Sequence, residues 1–261
     1  MTEPIMVHQV LHQMNIPFTI TLAVTDATAG WQLLKKAASA IDQELVQVDD
    51  KYSPFKSYSQ LRQFQRGNQR ILIQDAEFQQ IYAATMSAAH YTAGAFDPFF
   101  NGSFDPTGYI KGWAIERAAR HYLAPLLHDD RVIAASLNGG GDMQLLAQES
   151  SDFKWPVGIE DPRDPISLIA SYNIANGAVA TSGTSKRGEH IVRQGPSDLI
   201  QVTILTRHLS DADVWATAGL AAGEEKFNQQ IKDNTLNGLY VTADHRLHVF
   251  ANGVIRDAQT T

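Results

Sequence analysis

Helical and strand-like segments follow one another in this chain without strict alternation. That order confines it to an α+β fold rather than a doubly wound parallel sheet. Phe18, Ile20, Leu22 and Val24 alternate with polar or small residues, the period-2 mark of a half-buried strand. Thr25 and Asp26 then offer a helix cap, and Trp31, Leu34, Ala38, Ile41, Leu45 and Val48 recur at helical spacing. Residues 49–67 are polar and turn-rich and are expected to form an ordered loop. A short strand is expected at 70–73, and a second helix near 75–91 with Phe78, Ile81, Tyr82 and Ala89 on one face. Residues 93–108, rich in Gly, Pro and Asp, make a long loop of the kind that often carries function. A third helix begins near Lys111 and carries Trp113, Ala118, Tyr122 and Leu126. After a strand at 132–137, short strands at 156–159, 178–181, 201–206, 239–241 and 247–250 are interrupted by one helix at 210–222.

The 261 residues, 44% hydrophobic and 19% charged, can bury a substantial core without covalent staples. The chain has no cysteine, which excludes disulfides, cysteine-held zinc, iron–sulfur clusters and thiol catalysis. Any metal must rest on oxygen or imidazole ligands. The formal net charge is -7 and no basic run exceeds two residues (Lys35-Lys36, Lys186-Arg187), which argues against nucleic acid or an anionic membrane as partner. Residues 1–11 lack both a basic region and a long apolar stretch, and no window approaches the length of a membrane span. The expectation is a cytoplasmic chain with no membrane anchor.

Several segments have the composition of a site. Asn138-Gly139-Gly140-Gly141-Asp142 would let backbone approach a ligand closely, or make a tight hairpin capped by Asp142; taken alone, the hairpin is favoured. The run from Asp105 to Trp113 leads a glycine loop into a helix start, where free N–H groups attract phosphate and Lys111 adds a point charge. Its glycine and lysine spacing is not that of a Walker loop, and taken alone an exposed lysine on an ordinary first turn is the favoured reading.

Asp213 and Thr217 stand four apart on the helix expected at 210–222 and so share a face. A carboxylate and a hydroxyl are hard oxygen donors suited to Mg²⁺. An aspartate in so apolar a helix requires a partner or a cation, although a helix-dipole role is also open to it. Asp211 reads as part of an N-cap cluster with Ser210. Thr181-Ser182-Gly183-Thr184, followed by Lys186-Arg187 and His190, suits a phosphate or a proton transfer. His245 and His248 read as structural, and residues 161–165 as a solvated loop.

In their order, five blocks resemble the ApbE family of FAD:protein FMN transferases. They are Gly94 to Pro98, Asp105 to Ala114, Asn138 to Asp142, Ala178 to Gly183 and Ala212 to Ala218. Trp155 to Ile159 and the serine-rich segment from Ser53 to Leu61 extend the resemblance over nearly the whole chain. It implies a two-lobed, T-fold-like α+β fold as one domain over residues 1–261, with the flavin nucleotide in the cleft between lobes. By the same resemblance Met14, Phe55, Ala95, Phe96, Asp97, Asp105, Lys111, Gly140, Gly141, Asp142, Ser182 and Gly183 belong to the FAD site. Asp213 and Thr217 side chains with the Gly108 and Ala216 carbonyls would hold Mg²⁺, and His190 would deprotonate the acceptor hydroxyl. The implied reaction transfers FMN from FAD to a threonine or serine of an acceptor protein and releases AMP.

Two departures from the family pattern stand out. Its histidine is usually followed by an Asp-Pro-x-Thr-Gly turn, whereas here Arg193-Gln194-Gly195-Pro196-Ser197 follows His190-Ile191-Val192. Met14-Asn15-Ile16 replaces the small residues expected near the N-terminus. The metal side of the pattern is intact and the acceptor side is altered. Hydrolysis of FAD to FMN and AMP, or FAD binding without turnover, are therefore the alternative readings.

Overall fold

The computed structural model describes residues 3–184 and 198–257. Strands β1 (Ile5–Gln13) and β2 (Ile16–Val24) form a hairpin whose two-residue turn, Met14-Asn15, has φ of 51° and 60°. Positive φ at both turn residues matches the right-handed twist of the flanking strands. Asp26 then caps α1 (Ala27–Tyr52), its carboxylate accepting from the Thr28 and Ala29 N–H groups, as the sequence indicates. The long helix buries Leu34, Ile41, Leu45 and Val48.

Two short helices, α2 (Gln60–Gln65) and α3 (Ile71–Gln74), lead into α4 (Ala76–Tyr91). The strand expected at 70–73 is thus one helical turn. A strand would place Ile71 and Ile73 on one face, but Ile71 is buried and Ile73 is 87% exposed. Asp75 ends this turn and caps α4 by accepting from the Phe78 N–H. Helix α5 (Thr107–Ala118) follows the long loop and continues into a π turn and a 3-10 turn ending at His128.

The second half contributes β3 (Val132–Gly139), β4 (Asp142–Ala147), β5 (Trp155–Asp161), β6 (Asp164–Ile174), β7 (Gly177–Gly183) and β8 (Leu199–Thr206). After these come α6 (Leu209–Ala222), α7 (Glu224–Asp233), β9 (Gly238–Thr242), β10 (Leu247–Ala251) and β11 (Val254–Asp257). Among the described residues, nine strands form one antiparallel sheet in the order β1-β2-β3-β4-β7-β8-β9-β10-β11, and β5 pairs only with β6. The mixed helix-and-strand architecture agrees with the α+β expectation.

Alternation along the strands divides the core in two. Phe18, Ile20, Leu22, Leu137, Ala180, Val202, Ile204 and Tyr240 face the helical layer. Ala23, Ala134, Leu145, Val179 and Leu239 face the other way, where Trp155, Val157 and Ile159 of β5 cover them. The Trp155 indole N–H donates to the Leu146 carbonyl at 3.1 Å and ties the small hairpin to the sheet.

Elements β1, β4, β6, β11, α7 and α2, which lies within the loop expected at 49–67, were not expected from sequence. Helix α7 buries only Phe227 and Ile231, too few apolar residues to announce a helix. Helix α6 is capped at His208. Ser210 is instead held by Glu116, donating to it from its hydroxyl at 2.8 Å and its N–H at 3.1 Å. Asp211 lies in the first turn, its carboxyl raised by burial. His248 stacks on Tyr240 with ring centroids 4.7 Å apart, in keeping with a structural role.

Helices α5 and α6 cross in close contact at Gly112. A Cβ there would lie 2.8 Å from the Leu209 carbonyl oxygen and 3.0 Å from the Asp213 Cβ. The first neighbour is backbone and cannot move by changing rotamer. Gly112→Ala is therefore expected to destabilise the chain by about 1–3 kcal/mol, the usual penalty of overpacking. Denaturant titration measures this, and an unchanged midpoint would contradict so tight a crossing.

An ionic network clamps α1, α4 and α5. Lys51 reaches Asp75 at 2.7 Å and Glu77 at 3.0 Å, while Arg117 pairs with Glu44 at 3.0 Å and with Glu77. Burial alone would raise the Glu77 carboxyl, but Lys51 and then Arg117 outweigh it and hold it below its ordinary 4.5. A carboxyl depressed by folding contributes stability above its unfolded pKa and loses it as pH falls through the folded value. Wild-type stability should therefore drop below about pH 4.5, and Glu77→Gln should show a shallower drop. Urea titrations at several pH values compare the two slopes; parallel curves would remove Glu77 from the acid response.

Candidate functional site

One end of the sheet opens into a cleft of about 1010 Å³. The β1–β2 turn, the β3–β4 turn, the ends of β7 and β8, the start of α5 and the 93–106 loop converge on it. The β5–β6 hairpin closes one side. The loop is anchored by Phe104, whose ring packs among Phe64, Phe78, Tyr82 and Phe99. Its backbone is held by the Phe96 N–H donating to Thr92 Oγ1 at 3.1 Å and the Phe99 N–H donating to Asp97 Oδ1 at 2.8 Å.

The β3–β4 turn is a hairpin whose Gly140 and Gly141 have φ of 64° and 102°, a conformation that favours glycine. The Gly141 N–H donates to Asn138 Oδ1 at 3.0 Å. The segment is a tight turn, and its Gly140 and Gly141 line the cleft. Asp142, however, does not cap the turn. Its Oδ1 accepts from the Thr181 N–H at 3.0 Å on β7, and its Oδ2 pairs with the Lys111 ammonium.

Lys111 is the electrostatic centre. It is 6% exposed, lies against Asp142, and sits 3.5 Å from Asp213 Oδ1. Asp213 Oδ2 in turn accepts from the Gly112 N–H at 3.2 Å. Two buried carboxylates thus flank one buried ammonium, an arrangement that desolvation would forbid for any of the three alone. One turn along α6, the Thr217 hydroxyl lies 3.3 Å from that of Ser182. Asp213 and Thr217 share a helix face, as their spacing requires.

The start of α5 offers less to an anion than the sequence suggests. The Thr107 N–H donates to Asp105 Oδ1 at 3.0 Å, and those of Tyr109 and Ile110 donate to the Pro106 carbonyl. Asp105 is buried, and besides accepting from the Thr107 N–H it lines the cleft. Lys111 is therefore the cationic group that this end of α5 presents to the cleft.

Of the residues singled out in the sequence, Met14, Phe55, Ala95, Phe96, Asp97, Asp105, Gly108, Lys111, Gly140, Gly141, Ser182, Gly183 and Thr217 line the cleft. Asp142 and Asp213 stand behind this lining, in contact with Lys111. Ala216 is fully buried and is not among the lining residues. Phe55 is 83% exposed at the mouth. His190, with Lys186 and Arg187, lies outside the described residues.

The hairpin contribution was missed. Residues 161–165 are not merely a solvated loop: Asp161 is 7% exposed, and it lines the cleft together with Pro162 and Pro165. Hydrogen bonds from Arg163 hold the Asp161 carboxyl down at about 2. Gln201 Nε2 donates to the Glu160 carbonyl at 3.1 Å and fixes the hairpin over β8. Only the turn signals Asp161-Pro162 and Asp164-Pro165 hinted at a hairpin there.

Among the described residues, no group of three or more His, Asp or Glu side chains is arranged to hold a metal. The donor set of Asp213 carboxylate, Thr217 hydroxyl and nearby backbone carbonyls fits a hard cation that draws its remaining ligands from water and substrate phosphate, the habit of Mg²⁺. No helix among the described residues is long and apolar enough to cross a membrane.

The family model described as ApbE family matches residues 101–240, more than half of the chain. A protein of Klebsiella pneumoniae (strain 342) called FAD:protein FMN transferase is 31% identical over 126 residues, 41% of this chain and 38% of that one. One of the same description from Escherichia coli (strain K12) is 23% identical over 143 residues, 49% of this chain and 41% of that one. The matches thus span about two fifths of the length of these relatives. The ApbE protein of Thermotoga maritima superposes with a TM-score of 0.77 at 18% identity, over 98% of this chain and 97% of that one. The flavin transferase ApbE from Vibrio cholerae gives 0.69 at 16% identity, over 95% and 97%. At such identities the structural likeness shows the fold.

Proposed function

This chain belongs to the ApbE family, and from that premise we propose that it is a FAD:protein FMN transferase. It moves FMN from FAD onto a threonine or serine hydroxyl of an acceptor protein and releases AMP. The observation that carries this reading is the convergence of Lys111 and the Thr217 and Ser182 hydroxyls at one wall of a large cleft, with Asp213 directly behind Lys111. Its volume is at the upper end of ordinary ligand pockets, as a dinucleotide requires. Residues 1–261 act as one domain in this reading.

FAD enters the cleft as substrate, with Met14, Phe55, Ala95, Phe96 and Asp97 along its sides and Gly140, Gly141, Ser182 and Gly183 at the sheet end. Lys111 faces the pyrophosphate. Asp213 and Thr217 side chains, with the Gly108 and Ala216 carbonyls, would hold Mg²⁺. When bound, the ion supplies Lewis-acid neutralisation of the pyrophosphate charge. In the reaction the acceptor oxygen bonds to the FMN-side phosphorus, the bond to the AMP phosphate oxygen breaks, and His190 takes the hydroxyl proton. The protein's main contribution is positioning and fixed charge, as in other phosphoryl transfers.

The test is nucleotide analysis after incubation with FAD and Mg²⁺, with and without a threonine-containing acceptor domain. AMP that appears only with acceptor supports transfer. Equal AMP and free FMN without acceptor make the chain a hydrolase. Unchanged FAD in both arms overturns the catalytic reading.

A further inference from the structure

We propose that Asp142 is a positioning residue that serves the cleft through Lys111 and does not touch the ligand. Asp142 is 1% exposed and is not among the residues lining the cleft. Both its oxygens are engaged inside the protein, Oδ1 by the Thr181 N–H at 3.0 Å and Oδ2 by the Lys111 ammonium. Lys111, by contrast, lines the cleft. A lysine side chain has four rotatable bonds and a compact, mobile charge. Left alone beside the acidic face of α6, the ammonium would relax onto Asp213, 3.5 Å away.

Asp142 prevents that relaxation from a rigid base. It begins β4 directly after the Gly140-Gly141 turn, and its pairing with Gly139 across the hairpin fixes its backbone. Its second bond, to β7, keeps its carboxylate plane from turning. The turn, β7 and α5 are thus joined through the Asp142 carboxylate, which holds the Lys111 ammonium group in place. That group is held toward the cleft, and the face of α6 bearing Asp213 and Thr217 keeps its place beside it. The glycine turn therefore has a second purpose besides close backbone approach: it delivers a carboxylate behind the cleft wall.

The activity arm of the test rests on the transferase reading; a second arm does not. Asp142→Asn retains an oxygen for the Thr181 N–H and removes only the charge facing Lys111. In a cycle with Lys111→Met, Asp142→Asn alone should lower kcat/KM about 10- to 100-fold, as loss of a supporting outer partner does. In the Lys111→Met background it should change kcat/KM by less than about 2-fold. Independently, acetylation of Lys111 by a small amine-reactive reagent, followed by peptide mass spectrometry, should be several-fold faster in Asp142→Asn than in wild type. Should Asp142→Asn not fold, Asp142→Ser, which also removes the charge and keeps a hydroxyl oxygen, is read in the same two ways. Additive losses in the cycle, or unchanged labelling of Lys111, overturn the proposal. If wild type does not consume FAD, the transferase reading fails and the labelling arm still decides the role of Asp142.

Discussion

Asp213→Ala is expected to lower FAD turnover by at least about 10²–10³-fold, the scale seen when a single charge-stabilising group is removed, and to abolish its dependence on Mg²⁺. The fold should survive this change. Lys111 keeps Asp142 as its partner, and the lost acceptor at the Gly112 N–H costs only about 1–3 kcal/mol. The two consequences can be separated by measuring the denaturation midpoint and the Mg²⁺ titration of turnover on the same preparation. A variant that folds and retains magnesium-dependent turnover would remove Asp213 from the metal site and with it the main chemical role assigned to α6.

Lys111→Met should reverse that balance and cost stability first. Asp142 and Asp213, 1% and 3% exposed, would then face apolar atoms where the ammonium now lies. Removing one member of a buried ionic group costs about 3–5 kcal/mol, because a buried charge is left uncompensated. At roughly 2–4 °C of melting temperature per kcal/mol for a chain of this size, the fall should be about 6–20 °C. Part of that deficit should return in millimolar Mg²⁺, since a cation that binds only the folded state stabilises it. Calorimetry with and without Mg²⁺ measures both quantities. A melting temperature within a degree or two of wild type would mean that the two carboxylates are adequately compensated without Lys111.

Local features of this fold are legible in the sequence, and long-range ones are not. The β2 strand is written in Phe18, Ile20, Leu22 and Val24, and the start of α1 in Asp26, because period and capping are properties of neighbouring residues. The shared face of Asp213 and Thr217 follows from helical geometry alone. The meeting of Lys111, Asp142 and Asp213 does not, because it depends on a sheet that brings distant segments to one end. Family order placed all three at the site, but only the structure shows that Asp142 answers Lys111. The β5–β6 hairpin escaped notice for a different reason. Its strand β6 has an exposed first half, including Ile166 at 94% exposure, so it carries no clear alternation. Likewise β1 is an edge strand with apolar residues on both faces, and Ile5, Met6 and Val10 remain exposed.

Transfer of FMN from this cleft to a protein hydroxyl leaves a mass signature on the acceptor. Intact mass spectrometry of a threonine-containing acceptor domain, after incubation with the full chain, FAD and Mg²⁺, tests it most directly. The expected product is an acceptor heavier by one FMN residue, formed by wild type and not by Asp213→Ala. An acceptor of unchanged mass, while FAD is consumed to FMN and AMP, would contradict it.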